Sequence, residues 1–125
     1  MIYGFENETS PLNNIELQAA SIIRDCLVSF HVGAKNAVTA EQIARGMASM
    51  ELFRDKNSNP YLTGARIRKI VNHLRTTGKC PNLIATSKGY YICNDPAERR
   101  EYIDGLKARA MAILNVVAAM EGASV

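Results

Sequence analysis

Residues Thr63 to Ile92, TGARIRKIVNHLRTTGKCPNLIATSKGYYI, hold two different hydrophobic periods in succession. In the first half Ile67, Ile70, Val71 and Leu74 recur at i, i+3, i+4 and i+7, the spacing of one helix face. Thr63 can cap that helix by accepting from an early backbone N–H, and Gly78 can end it by tolerating the left-handed conformation of a C-terminal cap. At about 100° per residue, the side opposite the apolar stripe carries Ala65, Lys69, Asn72 and Thr76. Arg66 and His73 flank that side on one edge, Arg68 and Arg75 on the other. After Pro81 come two strand-like segments, Leu83 to Thr86 and Tyr90 to Cys93, separated by Ser87, Lys88 and Gly89. This reads as a hairpin with Lys88 at its tip and one of Tyr90 and Tyr91 pointing inward.

On the N-terminal side, Ile15, Ile22, Ile23, Cys26, Leu27 and Phe30 predict a helix to about Phe30, capped by Asn13 or Asn14. A loop around Gly33 and a short edge strand at Ala37 and Val38 follow. Thr39 and Gln42 have capping-box spacing, and Ile43, Ala44, Met47 and Met50 predict a second helix fading near Leu52. The polar stretch Arg54 to Pro60 is a turn or loop. On the C-terminal side, Asp95, Pro96 and Glu98 announce a helix of about 25 residues. Its apolar seam, Ile103, Leu106, Ala110, Ile113, Val117 and Met120, alternates steps of three and four, as in helices that pack side by side. A helix that long overruns a small domain, so the seam is expected to pair two copies as a homodimer. The organisation expected is a flexible arm over 1–12, one domain over 13–94, and a packing and dimerisation helix over 95–125. The fold class is mainly α with a small β-hairpin.

Charge is unevenly distributed along the 125 residues. From Lys56 to Asn94 there is no Asp or Glu, while Lys56, Arg66, Arg68, Lys69, Arg75, Lys79 and Lys88 supply seven positive charges; the chain as a whole carries only +3. Solvated helix faces usually mix signs, so an acid-free stretch of this length is the footprint of a polyanion-binding surface. Other classes find little support. No phosphate loop, HExxH site or GxSxG elbow is present, and no acid, base and nucleophile candidates converge, so no enzyme activity and no cofactor are expected. Cys26, Cys80 and Cys93 form no CxxC pair, and His31 and His73 are not spaced as zinc ligands, so no metal site and reduced thiols are expected. No apolar run approaches a membrane span and the N-terminus lacks a signal pattern, which makes the cytoplasm the expected location.

The order helix, helix, helix, hairpin, helix, together with Leu74, Arg75, Gly78, Ile84, Gly89, Tyr90 and Tyr91, resembles the small winged helix-turn-helix proteins of bacteria, phages and other mobile elements. The resemblance covers about half of the chain well. It implies a winged helix-turn-helix fold in which helix 63–77 enters the major groove of double-stranded DNA and the 83–93 hairpin is the wing. Lys69, Asn72 and Arg68 suit base edges or nearby phosphates, because Arg and Lys donate to guanine and Asn pairs with adenine. Thr63, Arg66 and Arg75 lie toward the margins, where phosphate contacts are expected, with Lys79 and Lys88 extending the basic surface. The expected role is transcriptional regulation. The alternatives are an accessory role in phage or plasmid replication, and a protein-interaction module or inhibitor acting on a host protein partner.

Overall fold

The computed structural model describes residues 11–122, so the expected N-terminal arm lies largely outside the described residues. The contacts divide the chain between Cys93 and Asn94. Among the described residues the N-terminal unit holds three α-helices, α1 (Asn14–Phe30), α2 (Ala40–Met47) and α3 (Gly64–Thr76), and an antiparallel hairpin of β1 (Leu83–Thr86) and β2 (Gly89–Ile92). The second unit holds one helix, α4 (Pro96–Gly122). The chain is therefore mainly helical with a two-stranded hairpin.

Each helix begins where a side chain can satisfy its orphan backbone donors. Asn13 accepts from the Glu16 N–H at 2.8 Å while the Glu16 carboxylate accepts from the Asn13 N–H at 3.0 Å, a reciprocal capping box. Thr39 and Gln42 repeat the arrangement at the start of α2, at 2.9 and 3.1 Å. The Thr63 hydroxyl caps α3 through the Arg66 N–H, and the Asp95 carboxylate accepts from the Ala97 N–H in the first turn of α4. Gly78, at φ +72°, follows the end of α3.

The core of the first unit joins Ala19, Ala20, Ile23 and Leu27 of α1 to Ile67, Ile70, Val71 and Leu74 of α3, with Met47, Phe53, Leu62, Leu83 and Ile92 closing around them. The α3 stripe is the one expected from its spacing. The α1 stripe is so only in part, with Ile23 and Leu27 buried as expected. Ile15 and Phe30, expected inside, are 37% and 72% exposed, and Cys26 is exposed, whereas Ala19, Ala20 and Glu16 are buried. With Ala19 and Ala20 on the inner face, the buried stripe of α1 is turned away from the one that its larger residues would have selected. The second helix is also shorter than its pattern suggested. It ends at Met47, and a 3-10 turn at Glu51–Phe53 then inserts Phe53 into the core while leaving Met50 and Leu52 exposed.

The hairpin pairs Leu83 with Ile92, Ile84 with Tyr91, Ala85 with Tyr90 and Thr86 with Gly89, leaving Ser87 and Lys88 as the turn. Its second strand starts at Gly89 rather than Tyr90. A third stretch adds to the same strand: Tyr90 N–H donates to the Val38 carbonyl at 2.7 Å and Val38 N–H to the Tyr90 carbonyl at 2.9 Å. The expected edge strand at Val38 is thus one bridge. Tyr91 is buried and Tyr90 half-buried. Cys80 and Cys93 are both buried and not joined in a disulfide, and burial pushes the Cys80 thiol up, against a smaller opposing pull from Arg24. Such a thiol is a poor nucleophile.

Gly89 combines φ +123° with a backbone approach that excludes any side chain, since a Cβ there would lie 2.5 Å from the Val38 carbonyl oxygen. Gly46, within α2, has open space around its own Cβ position. Gly89→Ala is expected to destabilise the fold by at least about 2 kcal/mol and Gly46→Ala to stabilise it by about 0.5–1 kcal/mol, both measured by urea denaturation. Equal effects of the two substitutions would contradict this account.

Candidate nucleic-acid interface

The basic residues of α3 divide into two groups according to the neighbour each meets. On the side of α3 toward α1, the Glu16 carboxylate is fully buried, and it is reached by Lys69 Nζ at 2.9 Å and by an Arg66 terminal nitrogen at 3.4 Å. Arg66 also stacks over the Tyr61 ring, 4.2 Å from guanidinium carbon to centroid, and donates to the Tyr61 hydroxyl at 3.0 Å. That hydroxyl accepts a second bond from the Asn13 amide at 2.8 Å. Five residues from three segments thus form one polar cluster around a single buried carboxylate.

Burial by itself would raise the Glu16 pKa. The Asn13 N–H, Lys69 and Arg66 outweigh it, and the group is held below its ordinary value of 4.5. Lys69, expected on the open face, keeps only 14% of its side chain exposed and is committed to Glu16. Sequence periodicity could not reveal this, because the partner lies 53 residues away and Glu16 looks like an ordinary first-turn acid. The capping-box pairing of Asn13 with Glu16 was the available signal.

On the other side of α3, Arg68 points to α2 and pairs with Glu41 at 2.8 Å. Both side chains are largely exposed, at 45% and 60%. The pair crosses close to Gly64 at the first turn of α3, where an added Cβ would sit 3.1 Å from the Glu41 carboxylate. The Glu41 carboxyl is lowered from its ordinary range by its own backbone N–H and by Arg68. An exposed pair of this kind is worth little and exchanges readily with other charged groups.

The outward face of α3 is therefore Ala65, Arg68, Asn72 and Thr76, with Thr63 at its N-terminal end and Arg75 half-buried at its margin. Lys79 is exposed just beyond the helix, and Lys88 is exposed in the hairpin turn. Thr86 shapes that turn, its hydroxyl accepting from the Lys88 N–H at 3.2 Å and donating to the Gly89 carbonyl at 3.1 Å. Of the eight residues expected to meet DNA, the structure thus leaves Thr63, Arg68, Lys79 and Lys88 exposed and Asn72 and Arg75 half-buried. It draws Arg66 and Lys69 into the Glu16 cluster. His73 is half-buried with Nε2 lacking a partner.

Among the described residues no group of three His, Cys, Asp or Glu is placed to hold a metal ion, and no helix is long and apolar enough to cross a membrane. No family profile, curated protein or solved structure matches this chain.

A carboxylate whose folded pKa lies below its unfolded value stabilises the fold above about pH 4.5, and that contribution disappears as pH falls through the folded value. Glu16→Gln removes it and leaves Lys69 without its counter-charge. The variant is expected to lose about 3 kcal/mol at neutral pH, the lower end for breaking a buried ion pair because Lys69 retains some solvent access. Its stability should also fall less steeply than that of the parent chain below pH 4.5. Denaturation curves from pH 7 to pH 3 check both expectations.

Proposed function

We propose that this chain is a winged helix-turn-helix protein that binds double-stranded DNA as a regulator of transcription, with α3 as the recognition helix and the β1–β2 hairpin as the wing. The observation that carries the reading is the outward face of α3, where Arg68, Asn72 and Thr76 stand in a stretch without a single acid, followed by a hairpin with an exposed lysine at its tip. The helix width matches the major groove, and Asn72 supplies the amide that pairs bidentately with adenine. Arg68 is the natural phosphate or guanine ligand once it releases Glu41, while Lys79 and Lys88 supply sequence-independent phosphate contacts. Lys69 and Arg66 serve the reading differently, by fixing the rotation of α3 about its own axis.

Glu41 competes with DNA for Arg68, which gives the reading a directional test. In fluorescence anisotropy with labelled duplexes enriched from a random pool, Arg68→Ala and Lys88→Ala should each weaken binding about 3- to 30-fold. Each should also reduce the slope of log K against log salt by about one. Glu41→Gln should tighten binding. Asn72→Ala should change which sequences are enriched. Absence of duplex binding at low salt, or a Glu41→Gln variant that binds more weakly while remaining folded, would overturn the proposal.

A further inference from the structure

The C-terminal half of α4 is strongly apolar. Ala110 to Met120 contains no charged residue and a single polar one, Asn115. Its large side chains are open to solvent: Met111, Ile113, Leu114 and Val116 are each 57–58% exposed, Val117 42% and Met120 72%. A helix apolar over most of its girth is stable in water only when covered. At 100° per residue the large apolar groups span well over half the circumference, and Asn115, Ala112 and Ala119 occupy the remainder.

We propose that this segment is covered by the same segment of a second copy of the chain, running antiparallel. The flanks of the seam carry the argument. With Ile103, Ala110 and Val117 as one set of seam positions and Leu106, Ile113 and Met120 as the other, Lys107, Leu114 and Glu121 line one flank, and Arg109 and Val116 the other. In an antiparallel pair the two-fold axis lies across the helices, so each flank faces the same flank of its partner. Overlapping the two apolar segments in full sets Ile113 against Val117 of the second copy and Ala110 against Met120 of the second copy. Lys107 then lies within about one helical step of Glu121 of the second copy, and symmetry repeats that pair at the other end.

A parallel pair would instead place each flank against the opposite one. Glu121 would then face Val116, and Arg109 would face Leu114, so neither charge would gain an opposite partner. The antiparallel overlap from Lys107 to Glu121 extends about 22 Å at 1.5 Å per residue. It buries on the order of 1,000 Å² in total, at the lower edge of specific interfaces. Met111 lies about 140° around the helix from the seam and stays outside the contact.

Sedimentation equilibrium of the full chain tests this, and its outcome is independent of DNA binding. A concentration-dependent dimer is expected, and Ile113→Glu should leave a folded monomer, checked by circular dichroism. Lys107→Glu and Glu121→Lys should each raise the dimer dissociation constant several-fold, and the two together in one chain should restore it. Orientation is read by cross-linking in a Cys26→Ser background. Chains carrying Ala110→Cys should form disulfides with chains carrying Met120→Cys, and not with each other. A full chain that is monomeric at all concentrations, a double reversal that fails to restore association, or cross-links between two Ala110→Cys chains would overturn the proposal.

Discussion

The Glu16 carboxylate is the point on which the N-terminal unit is organised. It sits at zero exposure within the first turn of α1, where a bare charge would cost several kcal/mol. It is tolerated because the Asn13 N–H, Lys69 and Arg66 occupy its lone pairs from three directions. The same carboxylate therefore starts one helix and sets the rotation of another. Apolar contacts between α1 and α3 are non-directional and would permit several angles about the α3 axis; ion-pair geometry permits few. The orientation of the outward face of α3 is in this sense decided by a residue 50 positions away from it.

This explains why two cations of α3 point inward although the helix is strongly basic. Their charges are neutralised locally, so what α3 presents outward is narrower than its composition suggests. Arg68 is held at the edge of that face by Glu41, a surface pair with little intrinsic worth. One acid thus holds its cations for structure, and the other holds its cation loosely. The difference lies in solvent access: Glu16 has none, and Glu41 is 60% exposed.

Much of the fold was legible because its punctuation is local. Asn13, Thr39, Thr63 and Asp95 each begin a helix through bonds to residues two or three positions on, and Gly78 and Gly89 occupy backbone conformations that favour glycine. The α3 stripe was legible because four branched or long apolar residues fall at helical spacing and all four are buried. The inner face of α1 was legible only at Ile23 and Leu27, since alanine and glutamate give periodicity no strong signal and the larger Ile15 and Phe30 mislead it. The site was legible in its residue types but not in their grouping. Spacing along α3 gives an angle around its axis, while the neighbour waiting at each angle is a property of the tertiary fold. That is how Lys69 came to be expected outside and Arg68 only at the margin.

The close approach of Gly89 to Val38 has a mechanical consequence. Val38 is joined directly to Thr39, the cap of α2, and its two hydrogen bonds to Tyr90 clamp the base of the hairpin turn to that cap. Lys88 is thereby mounted on the same chassis as α2 and Glu41, and through Glu41 opposite Arg68. The position of the hairpin turn is thus tied to that of the α2 cap. A surface that touches Lys88 and Arg68 together must match the backbone spacing between the hairpin turn and α3, with only the two long side chains left to adjust.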